Sequence, residues 1–344
     1  MYIIERSIFG IKKLAQQSIN RIFPGPLILM YHRIAQDSTD PWSMCVTQSN
    51  FAEHLKILRR LCRPMKLNDL LQNRSTYMRR AVAITFDDGY ANNLINAKPI
   101  LKDNDIPATI FVTVKAIGAK REFWWDELDR IFLQTGVLPT TLELDIGGKV
   151  YQWALGKSAT YSRNEWMKNM SWRIRETAPS SRHEVYRSIW SLMRNLSPNK
   201  QNMVVSKLSE WAAQASECRE THRLLAANEL LALKDSDIIE IGSHAMTHRS
   251  LNNLPTDLLC YEIYDGKKQL EEILECRVNG FSYPHGLFST RTINFVREAG
   301  FRYACSAMPA GVRSYTDCFK TPRLHVRNWN GRQFEKFLSA WLPK

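Results

Sequence analysis

An apolar run, Ala81–Phe86, ends directly at Asp87 and Asp88. Its continuous hydrophobicity is typical of a strand that is buried on both faces, as in a parallel sheet. A second short run, 238–241, precedes His244 in the same way. Further apolar runs alternate with helical patterns along the chain, which favours a parallel α/β barrel. Because the chemistry of such barrels lies on the loops after the strands, we expect the two segments to meet at one end of the sheet.

The side chains that follow these two strands include the elements of a metal site. One aspartate together with His244 and His248 is a complete three-ligand set for a catalytic zinc or a similar divalent ion, with a fourth position left open. The second aspartate is then free to act as a base. Each half also has a simpler interpretation, because Asp-Asp-Gly occurs in ordinary turns and His-x-x-x-His pairs occur on solvated or buried helix faces.

A third segment, Tyr283-Pro284-His285, follows the first two. A Thr-Phe-Asp-Asp-Gly segment, a later His-x-x-x-His segment and a segment of Pro-Tyr-Gly type, in this order, resemble the polysaccharide deacetylase family, also known as the NodB-homology family or family 4 of the carbohydrate esterases. The resemblance covers about residues 26–328. It implies a distorted (β/α) barrel of the NodB type and removal of acetyl groups from a saccharide.

The resemblance also implies roles for the residues of the first two segments. Asp88, His244 and His248 match the metal ligands of the family, and Asp87 matches its catalytic base. The implied cofactor is one divalent ion, with zinc as the first choice and Co²⁺, Ni²⁺, Fe²⁺ or Mn²⁺ as alternatives. A bound divalent cation lowers the pKa of water toward ~7, so an ordinary carboxylate can take its proton.

The remaining matches concern the oxyanion and the leaving amine. The backbone N–H of His285 corresponds to the oxyanion-binding amide of the family, with Pro284 and Tyr283 as its neighbours in the motif. The catalytic acid has two candidates. One is His325, in a late Leu-His pair that lacks the upstream Asp-Trp pair of the family; the other is His32, which resembles the first-strand histidine of exopolysaccharide-associated deacetylases. His32 is the preferred candidate, and either ring could instead simply close a strand end by hydrogen bonding.

The arginine that commonly begins the third motif of the family and orients the base is missing from this chain. Ser282 occupies the corresponding region, and Arg323, near a late strand, is the residue expected to compensate. The alternative for Arg323 is a surface ion pair, which would contribute little to stability.

A long insertion separates the first two motifs, because Asp88 and His244 lie 156 residues apart. The insertion is expected to be mainly helical, with one hairpin around Gly147-Gly148, and to act as a lid or a substrate platform. The expected organisation is a basic amphipathic helix over 1–25, the barrel over 26–118 and 226–344, and the insertion over 119–225.

Two groups of aromatic side chains outside the motifs need an assignment. Trp124 and Trp125, which open the insertion, are candidates for stacking on sugar rings, although large aromatic side chains more often pack in a core. His54, His183 and His222 lie in polar helical stretches and are expected to be solvated.

Charge and cysteine content bear on partners and location. The net charge is +13, and residues 1–80 contain 13 Lys/Arg against 5 Asp/Glu, so the N-terminal helix could contact an anionic membrane surface or pack on the barrel. Neither a transmembrane span nor a secretory signal is expected. Nucleic-acid binding is not expected either, because no recognisable module accompanies the charge. Seven cysteines without a pairing pattern favour reduced thiols and a cytoplasmic protein, with a peripheral membrane contact as an option. The sequence does not predict the oligomeric state.

The expected function is therefore metal-dependent removal of N-acetyl groups from a polysaccharide, glycolipid or saccharide precursor. Two alternatives stay open: an O-acetyl ester or a small cyclic amide as the substrate of the same site, and a non-catalytic saccharide-binding or membrane-associated protein. The paired aspartates and histidines argue against the last alternative, because a binding protein has no need of a base beside a metal.

Overall fold

A computed structural model gives the structure of the protein and describes residues 20, 25–72, 78–214 and 217–343. The chain forms two compact units. We call the first the barrel unit (Met1–Ala35, Cys45–Gly118 and Leu225–Lys344) and the second the insertion unit (Gln36–Met44 and Ala119–Leu224). Apart from residues 20 and 25, the helix expected over 1–25 lies outside the described residues. Gln36–Met44, which the sequence placed in the barrel, groups with the insertion instead.

The strands of the described residues, in chain order, are β1 (Leu27–Tyr31), β2 (Arg33–Ile34), β3 (Cys45–Val46), β4 (Arg63–Pro64), β5 (Ala81–Phe86), β6 (Ala108–Val112), β7 (Gly136–Val137), β8 (Thr141–Ile146), β9 (Lys149–Ala154), β10 (Thr160–Tyr161), β11 (Ile239–Ser243), β12 (Gly280–Ser282), β13 (Tyr303–Cys305) and β14 (Leu324–His325).

The α-helices of the described residues, in chain order, are α1 (Gln48–Leu61), α2 (Leu67–Gln72), α3 (Lys98–Asp103), α4 (Trp124–Phe132), α5 (Arg163–Asn169), α6 (Ser181–Met193), α7 (Pro198–Trp211), α8 (Ala227–Lys234), α9 (Thr256–Cys260), α10 (Gly266–Leu274), α11 (Thr290–Glu298) and α12 (Gly331–Ser339). Two π-helical turns, Asn93–Ala97 and Tyr261–Asp265, lead into α3 and α10. No helix of the described residues is both long and apolar enough to cross a membrane.

One parallel sheet forms the barrel unit, in the order β13-β12-β11-β6-β5-β1-β14, with β4 paired to β5 off this path. An isolated parallel bridge joins Cys305, the last residue of β13, to Thr321, which lies shortly before β14. Every residue of β1, β5 and β6 is buried, which explains why these strands are continuous apolar runs. The predicted α/β barrel is confirmed.

The hairpin of the insertion unit pairs β8 with β9 from Thr141 opposite Ala154 to Ile146 opposite Lys149. Its two turn residues, Gly147 and Gly148, have φ of +69° and +88°, values at which a Cβ would be strained. The sequence predicted this hairpin from the same glycine pair and from the alternation of its arms, which β8 shows as an alternating burial pattern.

A buried arginine holds the insertion unit together. Arg182 on α6 is 1% exposed. It donates to the carbonyl oxygens of Phe132 (2.6 Å), Ala159 (3.0 Å), Gly136 (3.2 Å) and Gln134 (3.4 Å). Burial lowers the pKa of the Arg182 guanidinium to about 10. The side chain thus joins α4, β7 and the segment between β9 and β10.

We expect Arg182→Met to lower the free energy of unfolding by about 3 kcal/mol, because buried carbonyl groups would lose their donors. Arg187→Met is the matched control, since Arg187 lies on the same helix and is only partly buried; its effect should stay within about 0.5 kcal/mol. Urea unfolding followed by tryptophan fluorescence measures both. Equal effects of the two substitutions would contradict a structural role for Arg182.

Candidate metal centre and active site

The motifs of the sequence meet at the carboxyl ends of the parallel strands in the barrel unit. The N–H of Asp87 donates to the carbonyl of Tyr31 at 3.0 Å, and the N–H of His244 donates to the carbonyl of Val112 at 2.8 Å. These bonds continue the pairing of β5 with β1 and of β11 with β6 by one residue. The register of the sheet therefore places the aspartates and the histidine at the same end of the sheet, on the loops after β5 and β11, the two strands that flank β6.

Asp88, His244 and His248 form the one group of histidine, cysteine or acidic ligand atoms among the described residues that is compact enough to hold a metal ion. Their ligand atoms lie within 4.8 Å of one another, and all three residues are buried. Asp88 Oδ1 is 3.5 Å from His244 Nε2 and 3.3 Å from His248 Nε2. The three predicted ligands are thus brought together.

The protonation of these groups fits a divalent ion. Burial lowers the pKa of His244 and lowers that of His248 to about 3, so both imidazoles are neutral near pH 7, as metal ligands must be. His244 Nδ1 is 2.7 Å from the carbonyl oxygen of Ser282. A carbonyl only accepts, so Nδ1 carries the hydrogen and Nε2 presents its lone pair toward Asp88. Burial also raises the pKa of Asp88, a cost that a neighbouring cation would offset.

The loops that carry the ligands have unusual backbone angles. Asp88, Ala245, His248 and His285 have φ of +77°, +63°, +61° and +59°. Left-handed angles are uncommon for residues with a Cβ and often occur at functional sites. No local sequence pattern indicated these angles.

Asp87, the predicted base, forms a bidentate ion pair with Arg323. Arg323 Nη1 donates to Asp87 Oδ1 and Nη2 to Asp87 Oδ2, each at 2.7 Å. The guanidinium also donates to the carbonyl of Ser306 (2.9 Å), to Thr85 Oγ1 (3.1 Å) and to Ser282 Oγ (2.8 Å). All five N–H groups of Arg323 therefore have acceptors, although the side chain is 1% exposed.

The ion pair controls the protonation of the base. Burial alone would raise the pKa of Asp87, but the charge of Arg323, the nearby histidines His244 and His32 and the hydrogen bonds from Arg323 together outweigh burial and hold this pKa well below its usual range. Ser282 Oγ lies 3.3 Å from Asp87 Oδ2. The serine that occupies the region of the family's usual arginine thus contacts both members of the pair, while the arginine itself comes from the residue before β14.

His32 and His325, the two candidates for the acid, lie side by side. His32 follows β1, and His325 ends β14, which pairs with β1. Their ring centroids are 5.5 Å apart, and the rings are nearly perpendicular. Burial lowers the pKa of His32, while the charges of Asp88 and Asp87 act in the opposite direction. The structure therefore places His32 within electrostatic reach of both aspartates.

The third motif forms a tight turn, Pro284–Gly286, after β12. The ring of His285 lies 4.7 Å from that of His248, so this residue borders the ligand cluster. Tyr283 is fully buried, and its hydroxyl donates to the carbonyl of Phe319 at 3.0 Å. A direct substrate contact by the Tyr283 side chain is therefore not retained. Pro284 is also buried.

Trp124 and Trp125 pack within the insertion unit. They are 8% and 7% exposed and form an edge-to-face pair, with ring centroids 5.4 Å apart, in the hydrophobic core of this unit. Little of either ring is open to a sugar, and we do not retain them as substrate contacts.

The expectation that three other histidines are solvated was wrong. His54, His183 and His222 are all buried. His54 shows the reason: its Nδ1 contacts the hydroxyl of Tyr31 at 3.2 Å, and its Nε2 contacts the carbonyl of Trp329 at 2.7 Å. Hydrogen bonds to both nitrogens allow a ring to enter a core.

The chain resembles known proteins in sequence and in fold. Residues 74–137 and 193–304 match the family model described as polysaccharide deacetylase. The putative polysaccharide deacetylase YxkH of Bacillus subtilis (strain 168) is 33% identical over 105 residues, which cover 29% of this chain and 36% of that protein. The match therefore spans about a third of the length of this relative.

Solved structures extend the likeness over most of the chain. IcaB from Ammonifex degensii is 17% identical with a TM-score of 0.57, covering 92% of this chain and 97% of that one. The deacetylase PplD of Streptococcus pyogenes is 14% identical with a TM-score of 0.53, covering 93% and 99%. The putative polysaccharide deacetylase BA0330 of Bacillus anthracis is 15% identical with a TM-score of 0.55, covering 91% and 68%. These likenesses show a barrel of the NodB type, and with the family match, which spans half of the sequence, the chain belongs to the polysaccharide deacetylase family.

Proposed function

We propose that the protein is a metal-dependent hydrolase that removes N-acetyl groups from a saccharide. The observation that carries the proposal is the juxtaposition of a buried Asp-His-His cluster with a second aspartate that is held by a buried arginine. A binding site for a metal alone would not need the second aspartate or its bidentate partner. Family membership and the likeness to the deacetylase PplD and to the putative polysaccharide deacetylase BA0330 support the same activity.

Asp88, His244 and His248 would hold the ion. Two neutral imidazoles and one carboxylate suit Zn²⁺ first, with Co²⁺, Ni²⁺, Fe²⁺ or Mn²⁺ as alternatives. When bound, such an ion would polarise the acyl carbonyl and lower the pKa of a nucleophilic water.

Asp87 would accept the proton of the attacking water. Its lowered pKa keeps the carboxylate ionised at neutral pH, and its two bonds to Arg323 fix its orientation. Such a weak base suits a water whose own pKa is lowered. The N–H of His285 is our candidate for a donor to the developing oxyanion, because its motif borders the cluster.

We assign His32 as the acid that protonates the leaving amine. It follows β1, whose neighbour β5 carries both aspartates, and the charges of Asp88 and Asp87 act on its ring. His325 is one strand further away, on β14. Its ring lies against that of His32 and would support it.

We expect His32→Ala to slow release of acetate from an N-acetyl sugar about 10²-fold, and His325→Ala to slow it less than about tenfold. An amine must be protonated to leave, whereas a phenolate leaves unaided, so hydrolysis of 4-nitrophenyl acetate should change little in either variant. Comparing kcat for the two substrates measures the effect. A larger loss of kcat on the N-acetyl sugar in His325→Ala than in His32→Ala would assign the acid to His325.

The substrate and location form part of the proposal. We propose an N-acetylated polysaccharide, glycolipid or saccharide precursor as the substrate, and a cytoplasmic placement. All seven cysteines lie among the described residues and form no disulfide there, which fits a reducing compartment. The proposed membrane contact of the N-terminal segment concerns residues outside the described part of the chain.

Acetate release tests the proposed function. Zinc-loaded protein should release acetate from at least one member of a panel of N-acetylglucosamine oligomers and nucleotide-linked or lipid-linked N-acetyl sugars, and a chelator should stop the reaction reversibly. Release from O-acetyl esters alone would replace the amide by an ester as substrate. Folded, zinc-loaded protein that hydrolyses no member would refute an enzymatic role on these substrates.

A further inference from the structure

The loop between the two metal-binding histidines rests on a buried glutamate from a distant helix. Glu262 lies in the π-helical turn Tyr261–Asp265, between α9 and α10, and is 1% exposed. π-Helical turns are rare in proteins, and many of those that occur lie at functional sites. Burial raises the pKa of Glu262, so placing a carboxyl here has a cost that its contacts must offset.

Glu262 accepts hydrogen bonds from the two residues before His248. The N–H of Thr247 donates to Glu262 Oε2 at 2.9 Å, and the hydroxyl of Thr247 makes a short hydrogen bond with Oε1. The N–H of Met246 donates to the backbone carbonyl of Glu262 at 3.0 Å. One carboxyl therefore binds both polar groups of Thr247, and its own backbone holds the preceding residue.

The backbone of this loop needs support. Ala245 and His248 both have positive φ, which is unfavourable for residues with a Cβ. On one side the N–H groups of Val114 and Lys115 donate to the carbonyls of Ala245 and Met246, at 3.1 Å and 2.8 Å. Glu262 holds the loop from the other side.

The two histidines are positioned in different ways. The ring of His244 is oriented directly by the carbonyl of Ser282. His248 follows Thr247 immediately, so its place beside Asp88 depends on the backbone that Glu262 fixes. Outer-shell groups that orient metal ligands commonly contribute strongly to metal affinity.

We propose that Glu262 is a positioning residue of the metal site, which fixes the Ala245–His248 loop through Thr247. This inference rests on the proposed metal dependence. Glu262 bonds to Thr247 and Met246 and not to a ligand atom, so its effect should appear first in the affinity for zinc and in kcat, with KM for the sugar little changed.

The test measures the zinc dissociation constant of the full chain by competition with a chromophoric chelator. Glu262→Ala should bind zinc about 10- to 100-fold more weakly. Glu262→Gln keeps an acceptor for the N–H of Thr247 and should lose less. Glu240→Ala is the matched control, because Glu240 is also a largely buried carboxyl of the barrel unit. It lies near the N-terminal end of β11, away from His244, and accepts hydrogen bonds from Tyr303 and Thr109. Its zinc affinity should stay within about twofold of the wild type, whatever stability it loses.

Each outcome decides a different statement. Unchanged zinc affinity in Glu262→Ala, or equal losses in Glu262→Ala and Glu240→Ala, would overturn the positioning role while leaving the proposed function intact. A folded wild type that binds no zinc would overturn both. If Glu262→Ala does not fold, Thr247→Val and Thr247→Ser decide: the valine should weaken zinc binding several-fold and the serine should restore it, and equal affinities would refute the inference.

Discussion

Asp87→Asn should lower kcat for acetate release by about 10³-fold while zinc remains bound. Asparagine has nearly the same shape as aspartate but cannot accept a proton, and a positioned general base commonly contributes 10²- to 10⁴-fold. The substitution leaves Asp88, His244 and His248 in place, so the zinc dissociation constant should change less than about threefold. Acetate release and chelator competition on the same preparation measure both quantities.

The neighbouring residue supplies the matched control. Asp88→Asn changes the same functional group one position along the chain, but it removes the carboxylate that lies between the two imidazoles. It should lose zinc affinity and activity together, with activity partly restored at high zinc, whereas Asp87→Asn should stay inactive at any zinc concentration. If both variants lose zinc equally, Asp87 would be a ligand and the assignment of the base would be wrong.

The pH dependence of the wild type follows from the same ion pair. Because the pKa of Asp87 is held below its usual range, the base stays ionised between pH 5 and pH 8. A loss of rate between pH 8 and pH 5 therefore has to come from other groups of the site.

The sequence predicted the parts of the site that depend on local pattern. Ala81–Phe86 is a strand with the predicted bounds, since continuous burial leaves a continuous apolar run. The order of parallel strands then brings Asp88 and His244 together without information on side-chain packing. The resemblance to the family identified the third segment, Tyr283-Pro284-His285, and suggested the roles of the site residues.

Contacts between residues far apart in sequence were harder to predict. Arg323 was assigned only from its place near a late strand, and nothing in that pattern showed that the guanidinium would bond both oxygens of Asp87. The contact between Glu262 and Thr247 left no local signal, because a glutamate in an amphipathic helix is usually solvated. Such pairings are set by tertiary packing.

The buried histidines and tryptophans show a different kind of error. His54 was expected to be solvated because its helical stretch is polar, yet it lies one residue from Leu55 and three from Phe51, on the buried face of α1. Helical periodicity was therefore a better guide than local composition. Trp124 was a candidate for stacking on a sugar ring because it opens the insertion, but its burial in the insertion unit reflects the hydrophobic area of indole.

Arg323→Met should lower both stability and activity, in a way that depends on pH. Methionine fills a similar volume but leaves Asp87 buried without its partner, and breaking one side of a buried ion pair commonly costs 3–5 kcal/mol. We expect a loss of about 3–5 kcal/mol in the free energy of unfolding at pH 8. Arg323→Lys keeps the charge but not the two parallel bonds, so it should fall between the wild type and the methionine variant.

The sign of the pH dependence distinguishes this ion pair from general packing. In the wild type the pKa of Asp87 is lowered on folding, so its contribution to stability is present above the unfolded pKa of about 3.9 and is lost only as pH falls through the lower folded value. Without Arg323, burial raises the pKa of Asp87 above its unfolded value, and the variant becomes less stable as pH rises through that value. Its deficit relative to the wild type should therefore be larger at pH 8 than at pH 5, as measured by urea unfolding.

The activity of Arg323→Met should rise with pH, whereas its stability should fall. Asp87 can act as a base only when ionised, so a raised pKa means that kcat/KM of Arg323→Met should recover as pH rises from 6 to 9, from a loss of about 10²-fold at pH 6. The wild type should show no such recovery from Asp87. A deficit in stability that is equal at both pH values, together with a rate that is lowered equally at every pH, would show that Arg323 serves packing alone and that Asp87 needs no partner to act as the base.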